Sequence, residues 1–452
     1  MIAKVKYISL SIFLLFLHSK SIGQNTNPIG SFIKSEMEER QIPGLSIVII
    51  QNGKVIHKNA YGFSVIEHQV PSKIETIYEL ASITKQFIAT GILLLEQDDL
   101  LDIDKPIENY IDSLPVKWKS LTLKQLLSHT AGLAAMEDEW KSLKENRWPK
   151  YVTRKMLWNS AIEDTILAVP GTQFRYHNVG YSLSVFIIEK ITQGDHRDFF
   201  KKRIFEPLGM NNTFFEDQTK VTQNQAEGYT LKNGELVKIW RVGQEEIGVG
   251  DGLYSSLEDM IKWNKAIREN RLLKSDVQTK MFSRTKLNNG LLTKYGLGWW
   301  LSERNGIPYY YHNGITGPEF LKIPSIDLDI IILSNLGQGE FDDVHYWGMA
   351  LKIAGEFFDT KLRHPPESVF LDSTDYNFFT GTFEYESEGE LEVYVRDGKL
   401  YLKDSFGESL MIYKGSNMFT LMDDPVIFRY LTKNRIQVIE ELWNDDFANR
   451  KK

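Results

Sequence analysis

The pattern of apolar and polar positions divides the chain into two parts of different character. Between residues 28 and 360, apolar runs suited to buried strands alternate with stretches of helical period. Residues 45–50 (LSIVII) form a strand candidate, Asn52-Gly53 is a hairpin turn signal, and Val55-Ile56-His57 resumes extended structure. A helix is predicted from Thr84, with Phe87, Ile88, Ile92 and Leu95 on one face. Helical period returns after Tyr181, with Leu183, Phe186, Ile187 and Ile191. Tyr309-Tyr310-Tyr311 and Ile330-Ile331-Ile332-Leu333 read as buried strands, the second led by a turn carrying Asp327 and Asp329. Strands near both ends with helices between them predict one sheet built from both ends of the domain, with a helical insertion.

Beyond this the period changes. Arg363-His364-Pro365-Pro366 reads as a linker, placed at residues 361–369. In Leu391-Glu392-Val393-Tyr394-Val395 the apolar residues fall on one face, and Asp397-Gly398 turns the chain into Leu400-Tyr401-Leu402. Further short segments lie at 410–413, 418–421, 426–430 and 436–439. Such spacing predicts a small antiparallel β-barrel over 370–446, in which we see no catalytic cluster.

Composition narrows the chemistry. A chain of 452 residues with 42% hydrophobic and 25% charged residues has ample material for packed cores. A formal net charge of -7 argues against nucleic acid as a partner, because phosphate binding needs a basic surface. There is no cysteine, so disulfides, thiolate metal sites and a cysteine nucleophile are excluded, and covalent catalysis falls to Ser, Thr, Lys, Tyr or a carboxylate.

The N-terminus has the form of an export signal. Lys4 and Lys6 supply the charged region, residues 8–17 an apolar run too short to span a bilayer comfortably, and Ser21-Ile22-Gly23 small residues at a cleavage position. Residues 1–23 carry three lysines and no acid, so their removal takes the net charge from -7 to -10. The expectation is a periplasmic or secreted protein with no stable membrane span after signal cleavage.

The candidate nucleophile lies in Ser82-x-x-Lys85, where a loop enters the predicted helix and positions i and i+3 share a face. The pattern recurs at Ser31/Lys34 and Ser283/Lys286, and the ordinary reading of an isolated match is a capping serine with a solvated lysine. The chemistry needs more. A serine hydroxyl is a poor nucleophile until a neighbour takes its proton, and a buried lysine can do so with a tyrosine nearby. Tyr176-x-Asn178 follows the turn Pro170-Gly171-Thr172, and the same pattern recurs at Tyr311/Asn313. His312 and His129 are, taken singly, ordinary structural histidines. No Walker loop, His-Glu-x-x-His or Gly-x-Ser-x-Gly occurs, and the nine histidines show no metal-ligand spacing. Gly248-x-Gly250-x-Gly252 follows no convincing strand-to-helix pattern. We therefore expect neither metal nor cofactor. A carboxylate pair for glycoside hydrolysis is always available among 60 acids, so it stands as a distant rival.

Taken in order, the segments resemble the serine β-lactamase-related family, near class C β-lactamases and low-molecular-weight penicillin-binding proteins. The resemblance rests on Ala81-Ser82-Ile83-Thr84-Lys85-Gln86-Phe87, Leu126-Leu127-Ser128-His129-Thr130-Ala131-Gly132-Leu133, Pro170-Gly171 and Tyr176-His177-Asn178-Val179-Gly180-Tyr181. Pro207-Leu208-Gly209-Met210, Gly250-Asp251-Gly252-Leu253, Tyr295-Gly296-Leu297-Gly298-Trp299, His312-Asn313-Gly314 and Ile332-Leu333-Ser334-Asn335 continue it, over roughly residues 30–360. The tail resembles the lipocalin-like domain appended to some members.

The resemblance implies an α/β transpeptidase-type fold, an antiparallel sheet flanked by helices, and a serine hydrolase that forms an acyl-serine. In that reading Ser82 attacks, Lys85 takes its proton, Tyr176 assists and protonates the leaving group, and Asn178 holds Lys85 or the substrate amide. Backbone N–H groups of Ser82 and Ile315, beyond Gly314, form the oxyanion hole. One departure stands out: penicillin-hydrolysing members usually carry Lys-Thr-Gly where this chain has His312-Asn313-Gly314. An imidazole holds a substrate carboxylate less firmly than an ammonium does, unless it is an imidazolium. Similar His-x-Gly members include esterases and peptidases of D-amino-acid substrates. The expected partner is a small-molecule or peptide substrate, with a homo-oligomer left open. A β-lactamase proper and a non-catalytic penicillin- or peptide-binding sensor are the alternatives.

Overall fold

The computed structural model describes residues 27–112, 114–133, 166–216, 220–232, 234–238, 252–337, 348–363, 370–385, 390–404, 407–421, 427–439 and 446–451. The segment expected to direct export, Gly248, Gly250, Asp251, most of the Pro-Pro linker and Val426 lie outside them.

Helix α1 (Pro28–Glu39) starts on Asn27, whose side chain accepts the Gly30 N–H, with proline in the first turn. Strands β1 (Gly44–Gln51) and β2 (Lys54–Val65) follow, joined by Asn52-Gly53, both at positive φ as a tight right-twisting hairpin requires. Then come β3 (Val70–Pro71), β4 (Ile77–Glu79), α2 (Thr84–Gln97), α3 (Leu123–Leu127) and α4 (Val179–Thr192). Short strands β5 (Phe214–Phe215), β6 (Tyr229–Lys232), β7 (Glu235–Lys238) and β8 (Leu253–Ser256) lead to α5 (Leu257–Arg268). Strands β9 (Trp300–Arg304), β10 (Ile307–Asn313), β11 (Glu319–Ile323) and β12 (Leu328–Ser334), then α6 (Met349–Phe357), complete the first part.

The main sheet is antiparallel, in the order β3-β2-β1-β12-β11-β10-β9, so its first and last strands meet at β1 and β12. Their continuous apolar runs have a plain cause: both faces are covered. Ile47 and Ile49, beside Ile332 and Ile330, pack against Ile33 and Met37 of α1 and Met349 and Ile353 of α6. Val48, Ile331 and Leu333 pack on the other face with Phe87 and Ile88 of α2 and Met260 and Trp263 of α5.

Helix α2 starts at Thr84 and buries Phe87, Ile88, Ile92 and Leu95 as expected, and with them every other residue from Thr84 to Leu95. Thr90 Oγ1 donates to Gln86 O and Gln86 Oε1 accepts from Trp263 Nε1, while Gln86 Nε2 is buried without a partner. Asp327 sits at the turn before β12 with φ +47°, but Asp329 lies within the strand, buried. Its carboxylate is met by Lys322 of β11 and by Asn264 and Arg268 of α5, which is what lets a charge sit in a sheet interior.

The C-terminal part is a closed antiparallel barrel of eight strands paired in chain order: β13 (Gly381–Tyr385), β14 (Glu390–Arg396), β15 (Lys399–Asp404), β16 (Gly407–Gly415), β17 (Met418–Leu421), β18 (Ile427–Thr432), β19 (Arg435–Ile439) and β20 (Asp446–Arg450). The predicted Asp397-Gly398 turn has both residues at positive φ. Strand β20 closes the barrel against β13 and β19 and runs past the expected limit at 446. The interior is filled by Phe383, Val393, Leu402, Phe428 and Val438, and Phe379 packs edge-on against Phe419 at 4.8 Å. Among the described residues no helix is long and apolar enough to cross a membrane.

Candidate active site

The chain enters α2 through a short 3-10 turn, Ala81–Ile83. Ala81 is fully buried with φ +43°, a conformation that costs a non-glycine residue roughly 1–3 kcal/mol and is held here by the surrounding packing. Leu80 N–H donates to Leu253 O on β8 (2.8 Å), and Ile83 N–H returns to Leu80 O (3.1 Å). Ser82 is thereby fixed at the helix start.

One turn on, Lys85 is completely buried. Its Nζ lies 2.9 Å from Ser82 Oγ and 2.8 Å from Asn178 Oδ1. Nζ also faces the Tyr176 and Tyr181 rings, 5.1 and 5.6 Å from their centroids. The two rival Ser-x-x-Lys pairs differ sharply: Ser31/Lys34 and Ser283/Lys286 are exposed. The reading of a capping serine with a solvated lysine does not describe Ser82 and Lys85.

Asn178 stands at the N-terminus of α4, its carbonyl accepting the N–H groups of Tyr181 and Ser182. Tyr176 is buried just before it. Its ring tilts over His129 at 4.2 Å and stacks on Trp300 at 5.9 Å with an 8° interplanar angle. His129 has φ +58° and accepts the His177 N–H on Nδ1, and His177 Nδ1 accepts the Gly180 N–H. Each of these rings therefore carries its proton on Nε2. Burial holds both neutral, His177 at about 3 and His129 well below the usual imidazole range.

His312 is the penultimate residue of β10 and faces the Tyr176 ring at 6.4 Å. Its Nδ1 lies 2.9 Å from Asn313 O and its Nε2 2.8 Å from the Tyr295 hydroxyl. It is 1% exposed, and burial together with nearby Lys85 pushes its pKa down to about 3. Burial thus favours the neutral ring, and both nitrogens have protein partners.

Gly314 follows. A Cβ there would stand 2.5 Å from Leu80 O and 2.9 Å from the Ala81 Cβ, so only glycine lets the turn carrying Ile315 lie against the Ser82 segment. Gly298 does the same on the far side, with φ +78° and a notional Cβ 2.8 Å from Lys85 O.

The structure thus gathers Ser82, Lys85, Tyr176, Asn178, His312 and Gly314 in one place, with Ile315 in the adjoining turn. Sequence reasoning gave no role to His129, Tyr181, Tyr295, Trp300 or Gly298, which form the wall behind Tyr176 and Lys85. His129, Tyr181, Tyr295 and Gly298 were present only as unassigned letters of the ordered segments, and Trp300 lies just past one of them.

With this geometry in view, the comparisons are specific. The family model named Beta-lactamase matches residues 29–354. The chain belongs to the Beta-lactamase family, the serine β-lactamase and penicillin-binding-protein group that its ordered motifs resemble. It is similar to Penicillin-binding protein 4* of Bacillus subtilis, 26% identical over 395 residues, covering 81% of this chain and 84% of that one. In fold it is similar to the octameric penicillin-binding protein homologue from Pyrococcus abyssi, with TM-score 0.64, 23% identity, and coverage of 92% and 99%. D-amino acid amidase from Ochrobactrum anthropi also shares the fold, with TM-score 0.61, 22% identity, and coverage of 74% and 98%.

Proposed function

We propose that the protein is an exported serine hydrolase that cleaves an amide or ester through an acyl-serine at Ser82, with D-amino-acid-containing peptides, amides or esters as its substrate class. The observation that carries this reading is a fully buried Lys85 with Nζ 2.9 Å from Ser82 Oγ at the start of a buried helix. Lys85, as the free amine, takes the Ser82 proton while Oγ attacks the carbonyl carbon. The carbonyl oxygen becomes an oxyanion, met by the backbone N–H groups of Ser82 and Ile315; loss of one such donor typically costs about 100-fold or more in rate. Collapse breaks the bond to the leaving group, which departs with a proton delivered through Tyr176. Water then attacks the acyl ester, the same groups move its proton, and Ser82 is released.

Two observations support the substrate class. A neutral, internally bonded His312 offers no ion pair to a penicillin carboxylate, which favours amidase or esterase chemistry over β-lactam hydrolysis. A D-amino acid amidase shares the fold. The octameric state named for the Pyrococcus homologue supports a homo-oligomer here. Lys4, Lys6 and the apolar run after them support export.

The test is hydrolysis of p-nitrophenyl esters and D-aminoacyl amides by the wild type, Ser82→Ala and Lys85→Ala. Turnover by the wild type and a fall of about 1,000-fold or more in both variants are expected. Full activity of Ser82→Ala on any substrate overturns the proposal. Tight binding without turnover, unchanged in Ser82→Ala, would make the protein a sensor instead.

A further inference from the structure

Tyr295 is fully buried just ahead of β9, in a hairpin fixed by Leu301 N–H to Lys294 O, Gly296 N–H to Trp299 O and Thr293 Oγ1 to Tyr295 O. Its ring meets Trp300 edge-on at 4.9 Å and His129 at 4.7 Å. Its hydroxyl points at His312 Nε2, 2.8 Å away.

The hydrogen-bond partners dictate the tautomer of His312. Asn313 O is a carbonyl and can only accept, so Nδ1 carries the proton. In a neutral ring Nε2 is then the lone pair, and the Tyr295 hydroxyl must donate to it. His129 and His177 nearby are the opposite tautomer, each with Nδ1 accepting a backbone N–H. His312 alone among these three has both nitrogens bonded within the site. Even an imidazolium would have no N–H left for a substrate.

We propose that Tyr295 is a positioning and specificity-determining residue: its hydroxyl locks His312 as an uncharged Nδ1–H imidazole, and the site therefore selects acyl donors that are uncharged where they meet the turn after β10. The specificity half rests on acyl transfer at Ser82; the lock does not. The groups facing His312 are Lys85 from α2, Tyr176 before α4, His129 after α3, and Tyr295 itself. Tyr181 of α4 also faces the Tyr295 hydroxyl, and since its own hydroxyl donates to Leu127 O at 2.6 Å, its oxygen is a second acceptor beside His312 Nε2. A neutral His312 places no cation beside Lys85, the residue that receives the Ser82 proton.

The experiment is 15N NMR of the full chain labelled at histidine, with His312→Gln identifying the His312 resonances. The wild type is expected to show the Nδ1–H tautomer with no titration from pH 5.5 to 8.5. Tyr295→Phe keeps the ring but removes the donor, and His312 is then expected to titrate within that window. An Nε2–H or charged His312 in the wild type overturns the lock, and so does a His312 signal unchanged in Tyr295→Phe. The wild-type spectrum alone decides the tautomer should the variant fold poorly.

Kinetics read the second half. Matched phenyl esters bearing a carboxamide or a carboxylate on the acyl side are compared. A carboxamide preference of about tenfold or more in kcat/KM is expected, because a bound carboxylate would lack a charged partner. In Tyr295→Phe, kcat on the carboxamide ester is expected to fall about tenfold with KM little changed. A carboxylate preference, or a wild-type kcat in Tyr295→Phe, overturns the specificity role. No turnover of either ester, with Ser82 unacylated, would instead fail the acyl-transfer reading and leave the tautomer result standing.

Discussion

Two lysines are buried on opposite sides of one problem. Lys85 on α2 is 0% exposed and lies against a serine hydroxyl, an asparagine amide oxygen and two tyrosine rings. Lys322 on β11 is 8% exposed and lies 2.7 Å from Asp329 and 2.7 Å from Asn264. Burial pushes the Lys322 ammonium down, and Asp329 pulls it back up. Arg268 extends the same network to Asp327 and Asp329, joining α5 to the turn before β12. Burial by itself therefore does not mark a reactive lysine. The partner does: a carboxylate fixes the ammonium and ties the sheet to α5, whereas a hydroxyl oxygen at hydrogen-bond distance is a proton donor in waiting.

The comparison can be broken most decisively at Lys85. Lys85→Met is expected to lower turnover by about 1,000-fold or more while leaving the melting temperature near that of the wild type, since the bonds it gives up to Ser82 Oγ and Asn178 Oδ1 are to neutral groups. Scanning calorimetry beside a rate assay checks both halves. A collapse in stability would place Lys85 with Lys322 as a structural cation.

Lys322→Met should do the reverse. It takes one partner from the buried Asp329, which Arg268 and Asn264 still hold, so a loss of roughly 1–3 kcal/mol is expected, read from urea unfolding. Activity per folded molecule should hold. Adding Asp329→Leu should recover much of the loss, and no recovery would assign the defect to packing instead.

Proton linkage separates the regions again. His177 and His312 are held at about 3 in the fold, against an unfolded value near 6.5. Below pH 6.5 the unfolded chain binds protons that the fold does not, so this stability is present above 6.5 and is lost as pH falls towards 3. Glu319, buried on β11 with its oxygens on the N–H groups of Met349 and Ala350, is pushed up to about 7. It acts with opposite sign between pH 4.5 and 7, since there the fold holds the extra proton and stability falls as pH rises. Glu319→Gln should therefore steepen the rise of stability with pH across 5 to 6.5, by about 1.4 kcal/mol per pH unit. An unchanged slope would mean that Glu319 is ionised throughout.

The smallest effect belongs to the surface. Lys58 and Glu258 form an exposed pair at 2.8 Å, and Lys58→Ala should change stability by no more than about 1 kcal/mol in a urea titration. A larger change would show that pairing at the surface rivals the buried network.

Much of this was legible in the sequence, for physical reasons that also explain what was not. The runs at 45–50 and 330–333 announced strands because both of their faces are covered, and Asn52-Gly53 and Asp397-Gly398 announced turns because their backbones need positive φ. Asp329 was misplaced because a buried charge is readable only once Lys322, Asn264 and Arg268 are seen to converge on it. The closing strand β20 was missed because its register against β13 and β19 defines it, not an apolar pattern. Ser82, Lys85, Tyr176 and Asn178 could be proposed from ordered motifs. The histidines and Tyr295 behind them could not be given roles, since tautomers and hydrogen-bond direction follow from which atoms meet across the fold.

The most direct test of the central claim is the intact mass of the full-length protein, quenched during turnover of a p-nitrophenyl ester and mapped by peptide digestion. A wild-type adduct of the acyl mass on the peptide containing Ser82, absent from Ser82→Ala, is the result this account predicts. Turnover with unmodified Ser82, or equal labelling of Ser82→Ala, would contradict it.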